Sequence, residues 1–289
     1  MSQPEVVTNT RRVATSGLLL LPSTLTILAL CSGLSAVKFA LGGQLGVALG
    51  MIGVAAVLDS LDGRIARLLD ATTKIGAELD SLADAISFGV APALVLYVTL
   101  LDGSNAGWMV ALVYAVSIVL RLARFNTLLD DESAPSYTNE FFVGVPAPAG
   151  ALIALTPIAA YEAWGDGWWS SFWPVSVWTV LSAVLIVSRI PTLAMKTFSV
   201  PRRMAAVLLI LVALIGAALI TYPYVLLIVL VFAYLVHIPF AVRSKRWVAA
   251  RPEVWDVKPA ERRAIRRAPD GHRPKRSAQR LGLRRPRSK

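Results

Sequence analysis

The chain has 289 residues, 56% of them hydrophobic and only 16% charged, yet it carries 29 Lys and Arg against 18 Asp and Glu. Soluble domains run at about 25% charged and 45–50% apolar residues, so an ordinary water-soluble domain is excluded and lipid is the expected solvent for much of the chain. The basic excess sits in one place: 243–289 holds 17 Lys and Arg and 4 Asp and Glu, leaving 12 against 14 for the rest.

In chain order, 1–17 is a polar cytoplasmic segment. A spanning helix needs roughly 20 mostly apolar residues, with its backbone groups satisfied internally. Eight such runs follow, at 18–41, 45–69, 75–101, 107–125, 146–164, 169–187, 204–220 and 222–242. The first lacks a signal-type cleavage pattern and reads as a retained span. Its single cysteine, Cys31, reads as a small packed hydrophobe. The expected fold is therefore all-α: a polytopic membrane bundle of eight transmembrane helices over 18–242. The segment 243–289, Pro-interrupted and Arg-rich, reads as a disordered basic cytoplasmic tail whose partner is anionic lipid. Nucleic acid is not expected there, because no aromatic interleaving or folded module accompanies the charge.

Cytoplasmic loops are enriched in Lys and Arg. Arg11, Arg12, Arg64, Arg67, Lys74, Arg124, Arg189, Lys196, Arg202, Arg203 and the tail fall on one side, while the loops at 42–44, 102–106, 165–167 and around Thr221 carry none. Lys38 is the exception and snorkels. Both termini are then cytoplasmic. Trp164, Trp168, Trp169 and Trp173 form an outer aromatic belt, and Pro157, Pro223 and Pro239 read as helix kinks.

Short connections leave no room for a soluble catalytic domain, so chemistry has to come from the bundle. Carboxylates at membrane depth are costly and usually face a polar cavity. Asp59 and Asp62 are three apart and Asp80 and Asp84 four apart, so each pair shares one helix face, and the short link at 70–73 makes the two helices antiparallel neighbours. Four gathered carboxylates call for divalent cations. Hard oxygens suit Mg²⁺, Mn²⁺ or Ca²⁺, whereas Zn²⁺ favours His or Cys, and His237 and His272 lie elsewhere. Two metals shared by four Asp residues suit displacement at phosphorus. Gly63, Ala66, Gly76 and Ala77 are small enough for close approach, and Arg67 is near enough for a phosphate clamp. Asp70 and Glu78 read as solvated.

The spacing D-x2-D-G-x2-A-R-x8-G-x3-D-x3-D is met at every fixed position by Asp59, Asp62, Gly63, Ala66, Arg67, Gly76, Asp80 and Asp84. In this the chain resembles the CDP-alcohol phosphotransferase family. Four further segments, at 87–92, 121–126, 144–149 and 187–192, resemble the family's bacterial serine-using branch. The resemblance covers roughly 22–203.

What it implies is a membrane enzyme of phospholipid synthesis. The hydroxyl of L-serine attacks the lipid-bearing phosphorus of CDP-diacylglycerol, giving phosphatidylserine and CMP. The resemblance makes Asp59, Asp62, Asp80 and Asp84 the ligands of Mg²⁺ or Mn²⁺, two ions in all and no organic cofactor, with Asp84 also the proton acceptor. Gly63 and Arg67, with Ala66, Gly76 and Thr73, fall on positions that hold the CDP-lipid. Ser23 belongs to a Pro-Asn-x-x-Thr-type segment near the nucleotide, where it stands in place of Asn. Arg121, Arg124, Ser188, Arg189, Thr192 and Lys196 are candidates for the acceptor or phosphate pocket. A homodimer is a family expectation. The competing readings are a sister enzyme using glycerol phosphate or inositol phosphate as acceptor, and a cation transporter. Transporters tend to show repeated halves and mid-membrane carboxylates, and neither is evident in this sequence.

Overall fold

The structure is a computed structural model describing residues 10–71, 73–101, 104–129, 141–188, 190–193 and 205–250. The elements in order are α1 (Thr10–Leu41), α2 (Leu45–Leu68), α3 (Lys74–Asp84), a π-turn (Ala85–Val90), α4 (Ala91–Thr99), α5 (Asn105–Leu129), β1 (Phe141–Val143), α6 (Ala147–Ala154), α7 (Thr156–Trp164), a 3₁₀ turn (Trp168–Ser170), α8 (Phe172–Val187), β2 (Pro191–Leu193), α9 (Ala205–Thr221) and α10 (Pro223–Ala249). The all-helical expectation holds apart from one feature that apolar runs do not report. β1 and β2 pair antiparallel, Phe142 opposite Thr192, as a short ribbon.

Among the described residues, five helices are long and apolar enough to cross a membrane, over Leu20–Leu41, Leu45–Leu68, Lys74–Thr99, Asn105–Thr127 and Pro223–Ser244. Two more, Phe172–Val187 and Ala206–Thr221, are apolar but shorter; 16 residues give about 24 Å of helix against a hydrocarbon core of about 30 Å. The predicted run at 146–164 is two helices meeting at Leu155 rather than one. The helical limits also move outward at both ends: α1 starts at Thr10, inside the predicted polar segment, and α10 continues to Ala249. No Pro or Gly stops either helix there. Cys31 faces outward rather than into the packing. Residues 251–289 lie outside the described residues.

The breaks follow from proline. Pro157 has no N–H to offer the carbonyl four residues back, that of Ile153. That carbonyl instead accepts the Trp178 indole N–H of α8 at 2.7 Å. Pro92 likewise leaves the carbonyl of Phe88 free, inside the π-turn, and the fully buried Tyr114 hydroxyl of α5 donates to it at 2.8 Å. In an apolar bundle an orphaned carbonyl is costly, so each proline is matched by an aromatic donor on a neighbouring helix.

The core lies where α1, α2, the π-turn, α4, α5, α6 and α8 meet, with Ile52, Phe88, Leu96, Tyr114, Ile118 and Ile186 fully buried. α1 runs along α2, tied by the Ser32 hydroxyl donating to the Met51 carbonyl at 2.8 Å. Gly33 lets α1 press onto the π-turn, since a Cβ there would stand 2.7 Å from Ser87 Cα. The turn between α1 and α2 needs a positive φ at Gly43, +74°.

Tyr114→Phe keeps the shape but orphans the Phe88 carbonyl. The expected cost is about 1 kcal/mol, read as a lower thermal unfolding midpoint in detergent. An unchanged midpoint would show that the π-turn does not depend on this bond.

Candidate active site

α2 ends at Leu68, and the chain reverses through Asp70, which adopts a left-handed backbone with φ 48°. Asp tolerates this conformation better than most residues. Thr73 then caps α3, its hydroxyl accepting the Gly76 N–H at 3.0 Å. This tight reversal sets the carboxylate face of α2 against that of α3.

One carboxylate oxygen each from Asp59, Asp62 and Asp80 lies within 4.8 Å of the others. Asp84, one turn beyond Asp80, has its carboxyl within hydrogen-bonding reach of Asp59. All four predicted aspartates are thus brought to one place. Asp62 is only 4% exposed and is fixed by α1, whose Thr26 hydroxyl donates to its Oδ2 at 2.6 Å. Hard oxygen donors at this spacing, with one carboxylate oriented by a neighbouring hydroxyl, fit divalent cations of the Mg²⁺ class.

Beside the cluster is a cavity of about 550 Å³ lined by Asp59, Asp80, Asp84, Arg121, Ser81 and Asn126, with the Pro146–Ala149 segment of α6 forming an apolar wall. Arg121 comes from α5. It is 8% exposed, lies in the electrostatic field of Asp84 and Asp59, and its Nε has no hydrogen-bond partner among the described residues. A buried guanidinium with an unused donor is equipped to receive an anion. The Asn126 amide donates to the Ser81 hydroxyl at 3.1 Å on the same wall.

The other predicted residues take different positions. Gly63, Ala66, Arg67, Thr73, Gly76 and Ser23 are not in this cavity's lining. Gly63 faces open space, with nothing within 4 Å of an added Cβ, and Arg67 is exposed. Ser23 is half-buried on α1, three residues before Thr26 and on the same face. Arg124 donates to the carbonyl of Val187, the last residue of α8, and the Ser188 hydroxyl donates to the Leu185 carbonyl at 2.6 Å. Both satisfy carbonyls at that helix end. Thr192 pairs through its backbone in β2, while Arg189 and Lys196 lie outside the described residues.

Four polar residues of the site were not singled out from sequence: Thr26, Ser60, Ser81 and Asn126. Thr26 had a signal, since Pro22 and Thr26 keep the spacing of the Pro-Asn-x-x-Thr-type segment. Ser81 and Asn126 are short polar residues whose meeting across two helices has no local signature.

An apolar multi-helix bundle that gathers a carboxylate cluster and a buried arginine beside one cavity has the features of a membrane-embedded enzyme whose family uses divalent metal. Residues 19–190 match the family described as CDP-alcohol phosphatidyltransferase, and the chain belongs to it. That membership displaces the cation-transport alternative. The chain is 53% identical over 268 residues to the CDP-diacylglycerol--serine O-phosphatidyltransferase of Mycobacterium tuberculosis (strain CDC 1551 / Oshkosh), covering 92% of this chain and 94% of that one. It is 49% identical to the protein of the same description in Mycobacterium leprae, over 93% and 90%. It is 30% identical to the archaetidylserine synthase of Methanothermobacter thermautotrophicus, over 63% and 70%.

Thr26→Val removes the hydroxyl that orients Asp62. Where a carboxylate holds a metal, losing the hydroxyl that orients it typically costs 10–100-fold in metal affinity, so half-saturation with divalent cation should need about tenfold more of it, with Thr26→Ser close to wild type. An unshifted metal titration in Thr26→Val would remove this role.

Proposed function

We propose that the chain transfers the phosphatidyl group of CDP-diacylglycerol to the hydroxyl of L-serine, yielding phosphatidylserine and CMP. The observation that carries this reading is the single cavity in which Asp59, Asp80 and Asp84 face the buried Arg121, in a chain alike over nearly its whole length to enzymes described by that reaction.

In the reaction the serine oxygen forms a bond to the phosphorus bearing diacylglycerol, the bond from that phosphorus to the CMP oxygen breaks, and CMP leaves with the electron pair. Asp84 accepts the serine hydroxyl proton, since a carboxylate in hydrogen-bonding reach makes a weak nucleophile competent as the new bond forms. Asp59, Asp62, Asp80 and Asp84 would hold two divalent ions, Mg²⁺ or Mn²⁺, which would supply charge to neutralise the diphosphate and the departing phosphate. Thr26 holds the Asp62 carboxylate in place through its hydrogen bond. Arg121 binds the serine carboxylate, and the Ser81 and Asn126 pair offers polar groups for the rest of the amino acid. Gly63 and Arg67, with Ala66, Thr73, Gly76 and Ser23, hold the CDP headgroup on the open side of the cluster. Arg124 and Ser188 support the wall by closing the end of α8, and Arg189, Thr192 and Lys196 remain candidates for the acceptor side.

The site and both termini belong to the cytoplasmic face of the cell membrane, by the distribution of Lys and Arg. There CMP and serine exchange with water while lipid tails enter from the side. The catalytic unit is 18–242, and the basic segment beyond it contacts anionic lipid. A homodimer accords with the family.

The deciding experiment is release of CMP from CDP-diacylglycerol by the purified protein with each acceptor in turn. Serine should support turnover; glycerol phosphate or inositol phosphate in its place would reassign the chain to a sister activity. Asp84→Asn should lower turnover at least about 10²-fold while CDP-lipid binding largely survives, and normal turnover would remove Asp84 as base. Arg67→Ala should raise the KM for CDP-lipid more than that for serine. An effect confined to serine would contradict its place at the headgroup.

A further inference from the structure

A second cavity, of about 670 Å³, lies between α2, α6 and α10. Its wall is almost wholly apolar, with Leu49, Val54 and Val57 from α2, Leu152 from α6, and Leu227 and Leu230 from α10. It adjoins the polar cavity at one end. Ala149 lines both spaces, and Leu58 on its wall directly precedes Asp59. Its far end is reached at Gly46 and Tyr224. From Leu58 to Gly46 the helix rises about 18 Å, more than the roughly 15 Å hydrocarbon half-thickness of one leaflet. A hydrocarbon chain leaving the polar cavity would therefore run the whole groove and pass the midplane before meeting its end.

That end is polar and tight. The Tyr224 hydroxyl donates to the Glu162 carboxylate of α7. Both groups are pressed onto α2 where it has no side chain: a Cβ at Gly46 would run into the Tyr224 hydroxyl and stand 3.0 Å from Glu162 Oε2. A terminal methyl arriving there can go further only by separating a hydrogen-bonded pair, which is unfavourable.

We propose that the Glu162–Tyr224 pair, seated over Gly46, is the floor of a groove that holds one acyl chain of the CDP-lipid, and that this floor sets the longest chain the enzyme accepts. The proposal rests on the CDP-diacylglycerol reading above. It makes Glu162 and Tyr224 specificity-determining residues remote from the reacting phosphorus.

The test is a competition among CDP-diacylglycerols in mixed micelles with serine, the species differing by two methylenes per chain and the products resolved by mass spectrometry. In the wild type, use should fall about tenfold across the step at which a chain outgrows the groove, the cost of forcing extra methylenes into a filled space. Tyr224→Ala should move that step to longer chains. Gly53→Leu places a side chain where an added Cβ now meets nothing within 4 Å, and should move the step to shorter chains. The opposite sign of the two shifts separates a ruler from general damage, and either shift alone in its stated direction supports the proposal when the other variant does not fold. A step at the same length in wild type and the folded variants would overturn it. No CMP release by wild type from any species with serine would instead bring down the activity reading, and the proposal with it.

Discussion

Four carboxylates held together inside an apolar bundle are the constraint on which the rest of the molecule depends. Asp59, Asp62 and Asp80 have oxygens within 4.8 Å of one another, where each ionised pair repels by about 3 kcal/mol at an effective dielectric of about 20. Left alone, such a cluster would pull α2 and α3 apart. What opposes it is structural: a short reversal with Asp70 in a left-handed conformation, a Thr73 cap, and a hydroxyl from α1 on Asp62. Divalent cations, which the family uses, would supply the remaining compensation and turn the repulsion into affinity.

The same helices must also satisfy every backbone group without water. Pro92 and Pro157 each break that rule, and each break is repaired by an aromatic side chain from a different helix. The first repair also orders the site. Phe88 lies one turn past Asp84, and Tyr114 lies two turns before Arg121 on one face of α5. Joining Tyr114 to Phe88 therefore sets the height of the guanidinium relative to the carboxylates. A π-turn directly after Asp84 is consistent with the concentration of such widened turns at functional sites.

The two cavities differ as the two parts of an amphipathic substrate would require. On the proposed reading, charged headgroup and amino acid would meet the aspartates and Arg121 on one side of Ala149, and hydrocarbon would meet Leu and Val on the other. Because α2 and α6 line both spaces, a change in how these two helices pack acts on both compartments.

Much of this is legible from residue order alone. Apolar runs give the helices, and the three- and four-residue spacings of Asp59, Asp62, Asp80 and Asp84 give two acidic faces, because helix periodicity is a local property that the sequence states directly. Pattern also gives the family. Tertiary structure alone decided that Thr26 of α1 would reach Asp62, that Ser81 would meet Asn126, that Arg124 would be engaged at the end of α8 while Arg121 kept a free donor, and that Leu155 would divide a predicted single span. Each of these is a contact between helices distant in sequence. Their outcome is set by crossing geometry and by the need to satisfy buried polar atoms, which no single segment encodes.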